Sequence, residues 1–382
     1  MVEHKRQNEL LDHTKCVQIS VTPDLIEKQL FLARQNNSLR RNSCMDLREL
    51  PKIDLHCHLD ACVRVSTVAE IGKQLGLVLP DSLEAALIAP PVCDGLMDYL
   101  RRIDLALEAM QREGDLRRIA CELGEDFQAD GVIYAEVRFA PQLHTKRGLS
   151  LQQVVNAVHA GLEEGKQRYG VLTSLILCCI RQQDPSVSFE ITKLAADNQD
   201  KVCGIDLAGD EFGFPGNPHV NAFILAERAG LRRTVHAGEA AGSDRIQEAI
   251  DVLHAERIGH GIRVVENPRL MSLLKDKAVA LEVCPQSNVQ TRAVDSLEAH
   301  PIDNLLKRGL RVTVNTDGRT LSATSCTREF QNLFRHQGWT LDEFWQCQLH
   351  AVSAAFVSRD IRRSLETRIQ RASKGAVHRR NS

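Results

Sequence analysis

DLHCHLD, residues 54–60, closes a short run that begins at Lys52 and alternates polar with apolar residues as a strand does. Residues two apart on a strand face the same side, so His56 and His58 can present two imidazoles together from one strand end. Alone, H-x-H says little, because a pair of exposed or hydrogen-bonded histidines produces the same pattern. It gains meaning from what recurs along the chain. TVHAGEAAG (234–242) ends an apolar strand in His236 and carries Glu239 just past a glycine, RIGHGI (257–262) places His260 between glycines, and VTVNTDG (312–318) carries Asp317 to the end of another alternating run.

These stretches belong to a longer rhythm. From about residue 52 to 317, short apolar or β-branched runs alternate with helix-period segments such as LQQVVNAVHAGLEEGKQRYG and SDRIQEAIDVLHAE, the signature of βαβ units and a parallel sheet. Eight runs read as strands: 52–56, 132–139, 172–180, 202–208, 232–236, 257–260, 279–284 and 311–316. An open, doubly wound sheet has the same alternation. Ligand-type residues at the C-terminal ends of separate strands favour a closed (β/α)8 TIM-type barrel, whose sites assemble on that face. The long segment from Leu59 to Asp130 predicts extra helices over the barrel mouth, and Ser150, Ser186, Asn217, Ser243 and Asn267 read as helix caps.

Composition narrows the class. With 48 basic and 50 acidic residues among 382, the formal charge of −2 gives no field that recruits nucleic acid or an anionic membrane. A small-molecule substrate is expected. The 12 cysteines include no C-x-x-C pair and read as reduced and mostly buried, and the polar start lacks an apolar targeting core, which points to the cytoplasm. The organisation expected is a polar N-terminal extension (1–48), one metal-dependent catalytic barrel (49–358) and a basic C-terminal tail (359–382), read as a solvated helix end followed by disorder.

Three imidazoles and a carboxylate suit one zinc ion with a position left for water, whose pKa the metal lowers toward neutrality. Each residue has a bland reading: Glu239 as an exposed loop carboxylate, His260 as a hydrogen-bonded mouth histidine, Asp317 as a helix cap. Together, on different strand ends, the bland readings lose force. Cys57 and Cys62 are assigned to packing, and the H-x-E with P-C-x-x-C pattern of cysteine-ligated deaminases is absent from the sequence.

LPKIDLHCHLD, VIYAEVRFAPQLHT, GIDLAGDE, VHAGEAAG, ERIGHGIR, LEVCPQSNVQT and VTVNTDG, colinear over about residues 48–356, together resemble the adenosine deaminase family of the amidohydrolase superfamily in its bacterial form. The resemblance implies zinc held by His56, His58, His236 and Asp317, with Glu239 protonating purine N1 and His260 orienting or deprotonating the attacking water. It further implies substrate contacts from His58 near the sugar, Asp60 to the ribose 5′-hydroxyl, the Gly209 amide to N3, and residue 318 to N7. The activity implied is hydrolytic deamination of adenosine and 2′-deoxyadenosine. Two departures bear on the substrate. The family's H-L-D-G-S reads His-Leu-Asp-Ala61-Cys62, and its T-D-D or T-D-N reads Thr-Asp-Gly318, followed by Arg319. A modified adenosine or free adenine is therefore the alternative substrate, with Arg319 a candidate to replace the missing N7 contact. A two-metal esterase or phosphotriesterase is a weaker reading, because no strand candidate ends in a bridging lysine. A non-catalytic binding protein is weaker still, because the metal, acid and base positions are all filled.

Overall fold

Eight strands run in parallel and pair in sequence order: β1 (Lys52–His58), β2 (Val132–Phe139), β3 (Leu172–Ile180), β4 (Val202–Ala208), β5 (Arg232–Ala237), β6 (Arg257–His260), β7 (Ala280–Val283) and β8 (Arg311–Val314). The computed structural model describes residues 46–381, with side chains described through Ala376; the expected N-terminal extension, apart from residues 46–48, lies outside them. All eight strands stand where the alternation puts them. β1 and β5 extend past the predicted ends, while β7 and β8 stop earlier. Past β8 the backbone turns into the left-handed region at Asp317, φ 59°, which ends regular pairing.

The ring closes where β8 returns to β1. The His58 N–H donates to the Asp317 carbonyl at 2.7 Å and the Asp317 N–H to the His56 carbonyl at 2.8 Å, around a parallel bridge between Cys57 and Asp317. The backbone of the proposed metal ligands is thus the seam of the barrel.

Contacts between strands that are not neighbours run across the interior. Arg138 of β2 reaches Glu282 of β7 at 2.8 Å, and Arg257 of β6 pairs with Glu136 of β2. The strand sequences place these residues inside by period-two alternation, as in Tyr134, Glu136 and Arg138. The barrel interior is therefore a column of paired charges. The apolar core lies outside it, between the strands and the helical ring, where residues such as Leu55, Val137, Leu177, Ile205 and Val235 are fully buried.

The segment after β1 forms helices Val65–Leu75, Leu83–Leu87, Leu96–Leu100, Asp104–Ala109 and Glu113–Ala129; the short helices between residues 96 and 109 supply the extra cover expected over the mouth, while Glu113–Ala129 packs in the outer ring against Leu151–Tyr169 and β2. Ser150 caps helix Leu151–Tyr169 in a capping box with Gln153, and Asn267 caps Pro268–Asp276. Helix Pro185–Asp197 is capped by Asp184 rather than Ser186, since Pro185 fits the first helical position and so sets the cap two residues earlier than expected. Neither Asn217 nor Ser243 serves as a side-chain cap; each is the first residue of its helix, after Gly216 and Gly242.

The basic tail is a helix, Arg359–Asn381, in which Leu365, Ile369 and Ala376 are buried. Apolar residues at helical spacing give it a face to dock, and the expected helix end is present and runs through Asn381. No helix among the described residues is long and apolar enough to cross a membrane. The ten cysteines among them are free thiols and nine are buried.

Candidate metal centre and active site

His56 and His58 leave β1, His236 leaves β5 and Asp317 follows β8, and their donor atoms lie within 4.8 Å of one another. Nε2 of His58 stands 3.3 Å from Nε2 of His56 and 3.2 Å from Nε2 of His236, and Oδ1 of Asp317 stands 3.5 Å from Nε2 of both His56 and His58. Donors on a tetrahedral zinc, with bonds of about 2.0–2.2 Å, are about 3.3–3.6 Å apart. The spacings match donors that share one zinc ion, and because zinc can expand to five-coordination the four residues still leave a position for water.

The hydrogen bonds behind them agree. Nδ1 of His56 faces Glu282 at 2.8 Å, and Nδ1 of His236 faces Asp206 at 3.1 Å. A carboxylate only accepts, so each ring carries its proton on Nδ1 and turns the Nε2 lone pair to the centre. Arg138 ties the two carboxylates together at 3.0 and 2.8 Å. With Arg138 and Arg257 beside it, Glu282 stays ionised despite its burial, and His236 and Arg138 do the same for Asp206. Ser287 donates to Oδ2 of Asp317 at 2.6 Å and leaves Oδ1 for the centre.

Beside the donors lies a cavity of about 300 Å³. Glu239 lines it and is buried; burial pushes its carboxyl well above the usual range, and the nearby Asp317 and Glu211 push the same way. Glu239 sits on a loop whose amides, from Gly238 to Ala241, all donate to Glu211, at 2.5 to 3.2 Å. His260 also lines the cavity, with Nε2 3.4 Å from Oε2 of Glu239. His260 and Asp317 both hold positive φ, 58° and 59°, strain of the kind that collects at functional sites. Asp60, which burial raises to about 7, also lines it, with Asp104, Gln182, Gln183 and Gly209. Leu96, Met97, Tyr99, Leu100, Ile103 and Leu107 of the added helices cover it.

Two expectations from the sequence need correction. Gly318 does not line the cavity: a Cβ there would stand 2.6 Å from Cβ of Ala61 and 3.0 Å from Cβ of Leu321, and Ala61 and Leu321 form the wall instead. Arg319 is not available to replace a contact to the purine. Its guanidinium pairs with Asp130 at 3.1 Å and lies over the Phe127 ring, buried against helix Glu113–Ala129. Glu282, Asp206, Ser287, Arg138 and Glu211 support the site without being singled out by any motif in the sequence. The signal available for the first two and Arg138 was a charged residue in the middle of an otherwise apolar strand.

The sequence profile of the adenosine deaminase family matches residues 51–372. The adenosine deaminase of Clostridium botulinum (strain Hall) is 40% identical over 329 residues, 85% of this chain and 98% of its own length. The chain belongs to the adenosine deaminase family. Solved structures of that architecture include the adenine deaminase of Arthrobacter aurescens (29% identity, TM-score 0.79, covering 85% of this chain and 99% of that one). An amidohydrolase from Burkholderia ambifaria with bound zinc is 25% identical, with TM-score 0.79, and the match covers 95% and 97% of the two chains. The N6-methyl-AMP deaminase of Arabidopsis thaliana is 26% identical, with TM-score 0.77, and the match covers 86% and 98%. The proteins it is similar to thus include deaminases named for a nucleoside, a free base and a nucleotide, and the chain is a deaminase-type hydrolase on a (β/α)8 barrel.

Proposed function

We propose that the protein deaminates adenosine and 2′-deoxyadenosine hydrolytically, with one zinc ion held by His56, His58, His236 and Asp317. The observation that carries the substrate choice is the cavity wall: among the described residues it contains no lysine or arginine, and its acidic members include Asp60 and Asp104. A 5′-phosphate would meet carboxylates there without a cation to pair with, whereas ribose hydroxyls can donate to them. Free adenine has no hydroxyls to donate to these acceptors.

When bound, zinc supplies a nucleophilic hydroxide at neutral pH. The remaining chemistry belongs to the chain. Glu239, kept protonated by its burial, donates to N1 as addition at C6 builds charge on the ring, a general acid's role. His260 orients the attacking oxygen, and Asp60 and His58 hold the sugar. The helices over the mouth exclude water from the bound purine, and as the C6 carbonyl forms the proton of the new C6 hydroxyl passes to the amino group, which leaves as ammonia.

The test is a panel of adenosine, 2′-deoxyadenosine, adenine, AMP and N6-methyl-AMP, read as ammonia or methylamine release, with metal analysis on the same sample. The proposal expects kcat/KM to be highest for the two nucleosides. A higher value for adenine or for either nucleotide overturns it.

A further inference from the structure

Behind His260 runs a line of buried polar groups to which the proposed chemistry gives no role. Nδ1 of His260 lies 3.0 Å from Nδ2 of Asn288, Oδ1 of Asn288 lies 3.2 Å from Nε2 of His300, and Nδ1 of His300 lies 3.1 Å from the backbone nitrogen of Ile302. All three side chains are buried.

The direction of every bond in this line follows from its far end. A backbone N–H can only donate, so Nδ1 of His300 accepts. Burial lowers the His300 pKa to about 3, so the ring is neutral and its one proton sits on Nε2. That proton is donated to Oδ1 of Asn288, which turns the amide nitrogen toward His260. Nδ1 of His260 therefore accepts, and the proton of its neutral ring sits on Nε2, on the cavity side.

We propose that Asn288, oriented by His300, is a positioning residue that fixes His260 as the Nε2–H tautomer, so that His260 offers the reacting centre a hydrogen-bond donor and no lone pair. His56 and His236 show the opposite polarity, because carboxylates stand behind them. The distinction decides between two overlapping donor groups, His56, His58, His236 and Asp317 on one side and His56, His260 and Cys284 on the other. A ring protonated on Nε2 cannot ligate through that atom, so His260 stays outside the coordination set. It also narrows the role of His260 to orienting the nucleophile rather than taking its proton. This last step rests on the proposed function; the tautomer itself does not.

The experiment uses the zinc-loaded enzyme labelled with ¹⁵N-histidine, with the His260 ring signals assigned by substitution. In the parent protein Nε2 should show the protonated, pyrrole-type nitrogen and Nδ1 the pyridine-type. A proton found on Nδ1 overturns the proposal without any variant of Asn288. Asn288→Asp presents only acceptors, so it should move the proton to Nδ1 and lower kcat for adenosine about 10- to 100-fold, with KM changed far less. His300→Gln, which can accept from Ile302 and donate to Asn288, should keep the parent tautomer and a kcat within about threefold. An altered tautomer with parental kcat, or a His300→Gln enzyme as impaired as Asn288→Asp, overturns the proposal. If no adenine compound is turned over, the functional reading falls, and the nitrogen spectrum still decides the tautomer.

Discussion

Glu239 holds its proton because it is buried beside Asp317 and Glu211. Glu239→Gln keeps the shape and the hydrogen bonding but has no proton to give, so metal content should stay at the parental level while kcat/KM falls about 10²- to 10⁴-fold. A fall of less than about threefold would hand the acid role to another residue. The pair Ala61 and Gly318 makes a second prediction. Relative to the family motif, one side chain has shrunk where its neighbour has grown, and a Cβ restored at 318 meets Ala61 at 2.6 Å. Gly318→Asp alone should be destabilised by about 1–3 kcal/mol through overpacking, and Ala61→Gly should relieve most of that in the double variant. The double variant should then discriminate against 7-deaza-adenosine more strongly than the parent does. Equal discrimination in both would remove N7 from the account of this wall. Ligand-type residues such as His56 and Asp317 were legible in the sequence because strand alternation fixes which side they face. The fit between Ala61 and Gly318 was not, since it joins positions far apart in the chain.

At the scale of elements, helix Cys326–His336 carries a buried acid, Glu329, held by Thr324 at 2.7 Å and by the Gln286 amide at 3.1 Å. Burial raises its pKa to about 8 from an ordinary 4.5. Between those values the folded chain keeps a proton that the unfolded chain has lost, so unfolding becomes easier as pH rises through the window. Glu329→Gln removes that dependence while keeping both hydrogen bonds available. The melting temperature of the variant relative to the parent should therefore rise by a few degrees between pH 5 and pH 8, a change of order a few kcal/mol. A constant offset across that range would contradict the assignment. The helix ends were read from the sequence with mixed success. Ser150 and Asn267 cap as their side chains allow, whereas Pro185 moved the cap to Asp184. The polar strand interiors show the reverse: charges at Glu136, Arg138, Asp206 and Glu282 were visible, but their partners lie on strands that only closure of the ring brings opposite.

For the molecule as a whole, the decisive feature is that the ring closes at the proposed metal ligands. A metal bound there stabilises the folded chain by mass action, by about 4 kcal/mol when its free concentration is a thousand times its dissociation constant. Chelation should therefore lower the melting temperature and speed hydrogen exchange most at the His58 and Asp317 amides, which form the seam. Asp317→Ala should lose zinc and activity together; a variant retaining full zinc would remove residue 317 from the ligand set. Closure itself was legible from eight alternating runs with reactive residues at their ends, but the seam's hydrogen bonds were not. The same seam sets an order of events on the ribosome. His56 and His58 emerge early, and Asp317 follows after roughly 10–50 seconds of synthesis at about 5–20 residues per second. Until then β1 lacks the partner that closes the ring. A product released between residues 236 and 317 would carry three of the four ligands on a ring that cannot close, a species for chaperones and proteases rather than a slow enzyme.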